Sequence, residues 1–275
     1  MNSLKKSVEN KPVILIKYGG NAMTDNKTKT SLLKEIASLK SHDRHIVIVH
    51  GGGPFISEAL KNAGIQSEFI EGQRVTTVQA IMHVEMALKG RVGGELVSIL
   101  NNFGANAVGL SGKDAGMVNA SKKQIVRNGT SYDLGLVGDV ESIDTHLLSV
   151  LLENDYLPVI APLGFKDGFT YNINADVFAS RLAAAMEVEH FILLTDVDGL
   201  YKDIKNPDTL VRQINQQNKE YVQQYVDGGM IPKLDSVLFA VKSGVKECVI
   251  LNGNKPGIIS RYLAGENLGT KIIWN

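Results

Sequence analysis

Two glycine-rich turns in this chain have the composition of an anion cradle. The stretch IVIVHGGGPFISEAL, Ile46 to Leu60, opens with four apolar, mostly β-branched residues that read as a buried strand. Gly51, Gly52 and Gly53 come next, then Pro54 at a first helical position and an apolar pattern at Phe55, Ile56, Ala59 and Leu60. Glycine there removes Cβ and lays backbone N–H groups at the mouth of a helix, where the macrodipole favours an anion. A plain strand-to-helix turn explains the same glycines without a ligand. Upstream, VILIKYGGN ends a second strand in Lys17, Tyr18, Gly19, Gly20 and Asn21, and this turn carries a lysine. Two glycine turns with a flanking lysine are the groups needed to hold a transferring phosphoryl.

Other chemistries find less support. No G-x-x-x-x-G-K-[ST] occurs, and SGKD at Ser111 to Asp114 lacks the upstream glycine and the hydroxyl. No G-x-G-x-x-G follows a strand, because position 56 is isoleucine, which argues against a nicotinamide dehydrogenase. DVDG places its glycine too early for a calcium loop. His83 and Glu85 stand two apart on a helix and point different ways, so they make no metalloprotease pair, and no protein metal site is expected. Acidic and basic residues balance at 29 each in 275 residues, so no global field recruits nucleic acid or an anionic membrane. The single cysteine, Cys248, lies in the apolar run ECVILNG and reads as a buried structural thiol. With no run of about 18 apolar residues and a start too polar for a signal peptide, a soluble cytoplasmic protein is expected.

These residues must be positioned by alternating strands and helices. Residues 1 to 11 read as a frayed tail. Val13 to Ile16 is a strand, and Asp25 to Lys40 a helix with Leu32, Leu33, Ile36 and Leu39 on one face. Gln66 to Thr76 reads as a hairpin or bent loop. A long helix is predicted from Thr77 to Asn102, with Gly90, Gly93 and Gly94 implying close packing against another backbone, of this chain or of a partner subunit. Ala105 to Leu110 is a strand; Met117 to Val140 alternates as small antiparallel strands would. A helix from Asp144 to Asn154, a strand from Leu157 to Ile160, a helix from Asn174 to Met186 and a strand from His190 to Thr195 follow. Asn215 to Val226 is weakly helical, and Pro232 starts another helix. Glu247 to Leu251, Gly257 to Leu263 and Gly269 to Trp274 complete the chain as strand, short helix and strand. The pattern predicts an α/β fold, a mainly parallel central sheet covered on both faces, with ligands at the carboxyl ends of the strands.

VILIKYGGN, IVIVHGGGP, EGQRVT, YNINAD, LLTDVDGLY and GGMIPKL, in this order and spacing, resemble the amino acid kinase family, and within it the acetylglutamate kinases. The resemblance covers nearly the whole chain. It implies a three-layer αβα sandwich, a single domain over 1–275, with 12–170 binding acetylglutamate and 171–275 the nucleotide. It also implies ATP-dependent phosphorylation of the side-chain carboxylate of N-acetyl-L-glutamate in arginine biosynthesis, with Mg²⁺ entering on ATP.

Lys17 and Lys233 match the family's two catalytic lysines, and Asp176 the aspartate that orients them. Gly52, Gly53, Arg74 and Asn172 match the substrate-binding residues, with Asn174 as nearby support or a helix cap. Gly19, Gly20, Asp196, Val197, Asp198, Gly199, Leu200 and Tyr201, together with the Tyr225 to Gly229 segment, match the nucleotide side. On residue chemistry alone, the lysines could be merely solvated, Arg74 a surface salt bridge, and Asp176 a helix-terminus charge. No general base is required, because a carboxylate with a reference pKa near 4.3 arrives deprotonated at pH 7. The barrier is the approach of two anions, on the order of several kcal/mol at short range, which lysines, glycine N–H groups and Mg²⁺ offset. A related kinase using another carboxylate, such as an aminoadipate derivative, and a catalytically dead metabolite-binding relative are the competing readings. Arginine-inhibited family members carry an extra amino-terminal helix that joins dimers into hexamers; Val13 already in the first strand leaves no room for one. A homodimer with weak or no arginine feedback is expected.

Overall fold

The computed structural model describes residues 11–20, 23–40, 44–127 and 129–274. The readings of a frayed tail and of Asn21 as a turn residue lie largely outside these. Eight strands form one sheet in the spatial order Gln213–Ile214, Thr270–Ile272, Glu247–Asn252, His190–Thr195, Val13–Tyr18, His45–His50, Leu157–Ala161 and Ala107–Ser111. All neighbours are parallel except Thr270–Ile272, which runs antiparallel to Glu247–Asn252.

The strands are apolar throughout because both faces are covered, and alternation assigns each residue to a face. Leu15, Val47, Val49, Phe191 and Leu193 share one core with helices Ala175–Ala185 and Ile231–Lys242. Ile14, Ile16, Ile46, Ile48 and Ile192 face the opposite core, with helices Asn26–Leu39 and Gly94–Asn102. Fully burying a leucine or phenylalanine of this kind contributes about 1.5–3 kcal/mol. Lys17 has the parity of Leu15, so it leaves the sheet on the face where helix Ala175–Ala185 begins. Register places Lys17 beside Val49 and Leu193, and Tyr18 beside His50, which sets the two glycine turns side by side.

The sandwich is therefore as expected, with one addition. Val118–Arg127, Thr130–Ile143, Leu163–Lys166 and Phe169–Ile173 close into a four-stranded barrel. Two of its strands, Val118–Arg127 and Thr130–Ile143, are long rather than small, and the Leu163 to Ile173 hairpin falls between the Leu157 strand and the Asn174 helix, where no element was expected. The hairpin at Phe69–Ile70 and Gln73–Arg74 is present, turning through Glu71 and Gly72, both with positive φ. It reaches the barrel through Thr76, whose N–H donates to Leu134 O and whose carbonyl accepts from Leu136 N–H. Asn215 to Val226 is helical only over Lys219–Gln223.

The predicted long helix is continuous but changes character. Val78–Glu85 is α-helical, Met86–Gly93 is a π-helix, and Gly94–Asn102 is α-helical again. The cause is legible in its apolar stripe: Ala80, Val84, Leu88, Val92, Leu96 and Leu100 are buried and recur every four residues. On an ideal α-helix each step of four over-rotates by about 40°, so the stripe would wind off the core. The wider π turns take up that excess. Of the three glycines, only Gly93 is closely packed within the chain, where a Cβ would lie 3.3 Å from Leu88 O; nothing lies within 4 Å of a Cβ at Gly90 or Gly94.

Candidate active site

Two clefts open at the carboxyl ends of the strands, as the sheet topology requires. The first, of about 340 Å³, is lined by both glycine turns, Lys17, Arg74, Asn172 and Asp176. The second, of about 540 Å³, is lined by Asp196, Val197, Gly199, Leu200 and Tyr201, and across it by residues from Tyr225 to Lys233.

Asp176 is the second residue of its helix, and Asn174 caps that helix, its Oδ1 accepting from Asp176 N–H at 2.9 Å and Val177 N–H at 3.2 Å. The cap holds the first turn so that the carboxylate faces Lys17. Lys233 lies in the first turn of the neighbouring Ile231–Lys242 helix, which Pro232 starts by fixing φ where no N–H is needed. Lys17 Nζ stands 2.8 Å from Asp176 Oδ1, and Lys233 Nζ 3.0 Å from Oδ2. Asp176 is 5% exposed and Lys17 6%. Burial pushes the Asp176 carboxyl up, but the charges and hydrogen bonds of Lys17 and Lys233 outweigh it and hold it below the usual carboxylate value. One carboxylate thus keeps two ammonium groups at the junction of the clefts, Lys17 lining the first and Lys233 the second. This is a site for offsetting negative charge as it moves between them.

Arg74 is buried against the Phe69 ring, 4.6 Å from its centroid. Its guanidinium donates to Ser67 Oγ, to Ser57 Oγ at 2.7 Å and to Gly53 O at 3.2 Å. It is therefore no surface salt bridge but a braced cation on the cleft wall. Asn172 Nδ2 donates to Thr76 Oγ1 at 3.2 Å, which ties the barrel to the hairpin bearing Arg74. Gly52 is packed so closely that a Cβ would meet Leu88 Cδ2 at 2.6 Å, whereas Gly53 opens helix Gly53–Asn62 with nothing within 4 Å of its Cβ position. Gly20, at φ +79°, is doubly constrained, since a Cβ would also meet Asp196 Oδ1 at 2.5 Å.

Most of the expected residues are brought together. Gly19 and Gly20, expected on the nucleotide side, line the first cleft, where they meet the junction. Asp198 does not line either cleft: its carboxylate accepts from Asn252 Nδ2 and Lys255 Nζ, each at 2.7 Å. Among the described residues no cluster of three or more His, Cys, Asp or Glu side chains could hold a metal. Cys248 is buried, and burial pushes its thiol up. No helix of the described residues is long and apolar enough to cross a membrane. Sequence reading missed Ser57, Ser67 and Thr76, the supports of Arg74 and Asn172. Ser57 carried a signal, one helical turn after Gly53 on the same face, and Thr76 closes the EGQRVT motif.

Residues 12–252 match the model of the amino acid kinase family. The chain is 41% identical over 270 residues to an acetylglutamate kinase of Methanocaldococcus jannaschii, covering 94% of this chain and 90% of that one. It is 39% identical over 263 residues to an acetylglutamate kinase of Corynebacterium glutamicum, covering 95% and 90%. Among solved structures, N-acetylglutamate synthase from Neisseria gonorrhoeae superimposes with a TM-score of 0.81 at 22% identity; the match covers 95% of this chain and 59% of the synthase. Carbamate kinase from Giardia lamblia superimposes with a TM-score of 0.69 at 17% identity over 97% of this chain and 99% of that one. At such identities the likeness is one of fold.

Proposed function

The chain belongs to the amino acid kinase family, and from that premise we propose that it is an acetylglutamate kinase of arginine biosynthesis. It transfers the γ-phosphoryl group of ATP to the side-chain carboxylate of N-acetyl-L-glutamate, giving N-acetylglutamyl 5-phosphate and ADP. The observation that carries the reading is the Lys17–Asp176–Lys233 arrangement where the two clefts meet. A carboxyl acceptor needs no general base, and among these three groups the only carboxylate is already paired with both lysines, poorly suited to act as one.

In this reading the clefts divide the labour approximately along the chain, 12–170 serving the amino acid and 171–275 the nucleotide, except that Asn172 to Asp176 line the first cleft. Arg74 grips the α-carboxylate with a guanidinium already oriented by Ser57 and Ser67, and Asn172 binds the same end. Lys17, the Gly19–Gly20 turn and the Gly52–Gly53 turn surround the transferring phosphoryl, and Lys233 takes up charge on the ATP side. Val197, Gly199, Leu200 and Tyr201 wall the nucleotide cleft. The donor set suits Mg²⁺ carried in on phosphates rather than held in a protein cage, with the Asp196 carboxylate against the Gly20 turn. That ion supplies charge neutralisation on the phosphate oxygens.

The assay is a panel of N-acetylglutamate, acetylated aminoadipate, aspartate and carbamate with ADP detection. Turnover favouring N-acetylglutamate supports the reading, a preference for another carboxylate corrects it, and ligand binding without ADP release marks an inactive relative. A homodimer is part of the proposal, supported by the exposed apolar stripe Val78, Met82 and Met86, which helical spacing puts on one face. Sedimentation should give a dimer for the wild type and a monomer for Met82→Glu; a stable hexamer overturns it. Cytoplasmic location fits the biosynthetic role.

A further inference from the structure

His50 ends the strand before the glycine turn and is wholly buried. Its Nδ1 lies 2.8 Å from Gly51 O. A carbonyl oxygen only accepts, so Nδ1 carries the proton and the neutral ring presents a bare Nε2. Among the described residues that Nε2 has no hydrogen-bond partner. It faces Gly93 of the π-helix, where a Cβ would come within 3.4 Å. Burial lowers the imidazole pKa to about 4, partly opposed by the bond to Gly51, so the ring stays uncharged at neutral pH.

The grip on Gly51 O has a consequence one bond further on. A trans peptide unit is planar, with C=O and the following N–H pointing in opposite directions. Fixing Gly51 O toward His50 therefore turns Gly52 N–H the other way. Gly52 N–H has no backbone acceptor among the described residues, and Gly52 lines the first cleft. A peptide between two glycines is otherwise free to flip, because neither residue has a Cβ to restrict it. Leu88 and Val92 close the space behind Gly52.

We propose that His50 is a positioning residue: its Nδ1–H holds the Gly51–Gly52 peptide in the one orientation that presents Gly52 N–H to the acceptor carboxylate or the transferring phosphoryl. The proposal deepens the functional reading above and rests on its assignment of the first cleft to the acceptor.

Two substitutions separate the roles of the ring nitrogens. Asn places an amide N–H where Nδ1 stands, while Gln places its amide at the depth of Nε2. His50→Gln is expected to lower kcat/KM for the acceptor by about 10²-fold, the loss typical of one missing oxyanion donor, with KM for ATP unchanged. His50→Asn should recover most of that loss. In the wild type, ¹⁵N shifts of the His50 ring should report the Nδ1-protonated tautomer. Equal losses in both variants that follow their melting temperatures, equal changes in both KM values, or an Nε2-protonated ring would each overturn the proposal. The rates are read on whichever carboxylate of the panel the wild type accepts. A different preferred substrate thus corrects the functional reading while the variant hierarchy and the tautomer still decide this one.

Discussion

The first cleft, proposed for the acceptor, is walled by groups already bound to the protein, whereas the second, proposed for the nucleotide, is walled largely by loops that stack on one another at the surface. Arg74 has three hydrogen-bond partners, Asn172 is tied to Thr76, and Gly52 is wedged against Leu88. Across the junction, Tyr221 and Tyr225 pack edge to face at 5.2 Å with Lys202 Nζ 4.9 Å from the Tyr221 ring, and both tyrosines are more than a third exposed. A small carboxylate offers few contacts, so its site must be ordered before it binds. A nucleotide brings enough surface to order loops as it binds. Lys17 and Lys233 repeat the contrast, with side chains 8% and 22% exposed.

The largest effects should come at the junction, where the two regions share Asp176. Lys17→Ala and Lys233→Ala are each expected to lower kcat by about 10³-fold with the fold retained, measured by ADP release and circular dichroism. Wild-type-like rates in both would remove the proposed mechanism. The same variants should change the acid limit of the protein. The folded Asp176 carboxyl lies below its unfolded value of 3.8, so its stabilising contribution is complete above 3.8 and is lost as pH falls through the lower folded value. With one lysine gone, burial is less opposed, the folded carboxyl rises, and acid unfolding should begin at higher pH than in the wild type.

Next in size is the braced arginine. Arg74→Lys keeps the charge but cannot serve Ser57, Ser67 and a carboxylate together. KM for the acceptor should rise by about 10- to 100-fold, the range for lost hydrogen bonds to a charged group, while KM for ATP holds. Parallel changes in both would mean that the clefts are not independent.

The smallest effect is expected behind the nucleotide loop. Buried Thr270 accepts from Leu200 N–H at 2.8 Å and donates to Val211 O at 2.6 Å. Thr270→Val removes both of these side-chain bonds to the backbone and should lower Tm by roughly 2–8 °C with a severalfold rise in KM for ATP alone. Thr270→Ser should restore both, and failure to do so would assign the effect to packing.

How much of this was readable beforehand follows the range of the interactions. The sheet strands announce themselves because burial on both faces demands continuous apolar runs, as at Ile46 to Val49. Asn174 and Pro232 mark helix starts by local chemistry. Lys17, Asp176 and Lys233 were legible through their motifs, and the resemblance set the aspartate between the lysines; residue chemistry alone left it a helix-terminus charge, since Lys17 and Lys233 lie 159 and 57 residues away in the sequence and only the fold brings them together. The barrel was missed because its strands, which include Gly135, Gly138 and Gly164, are rich in glycine and polar residues and close mainly on one another. Asp198 looked like part of a nucleotide loop because Lys255, which turns it away, is distant in sequence.

The π segment at Met86–Gly93 makes this helix unusually sensitive to indels. Deleting one residue there, with the turns on either side unchanged, would rotate everything beyond by roughly 80–100°. Leu96 and Leu100 would swing out of the core, and Glu95 would leave the ammonium of buried Lys29. Because Leu88, Val92 and Gly93 also back the HGGGP turn, such a deletion would reach the acceptor cleft without altering a single residue that lines it except Leu88. Length between Met86 and Gly93 is thus as constrained as residue identity, and a chain-length change there would act as an active-site mutation at a distance.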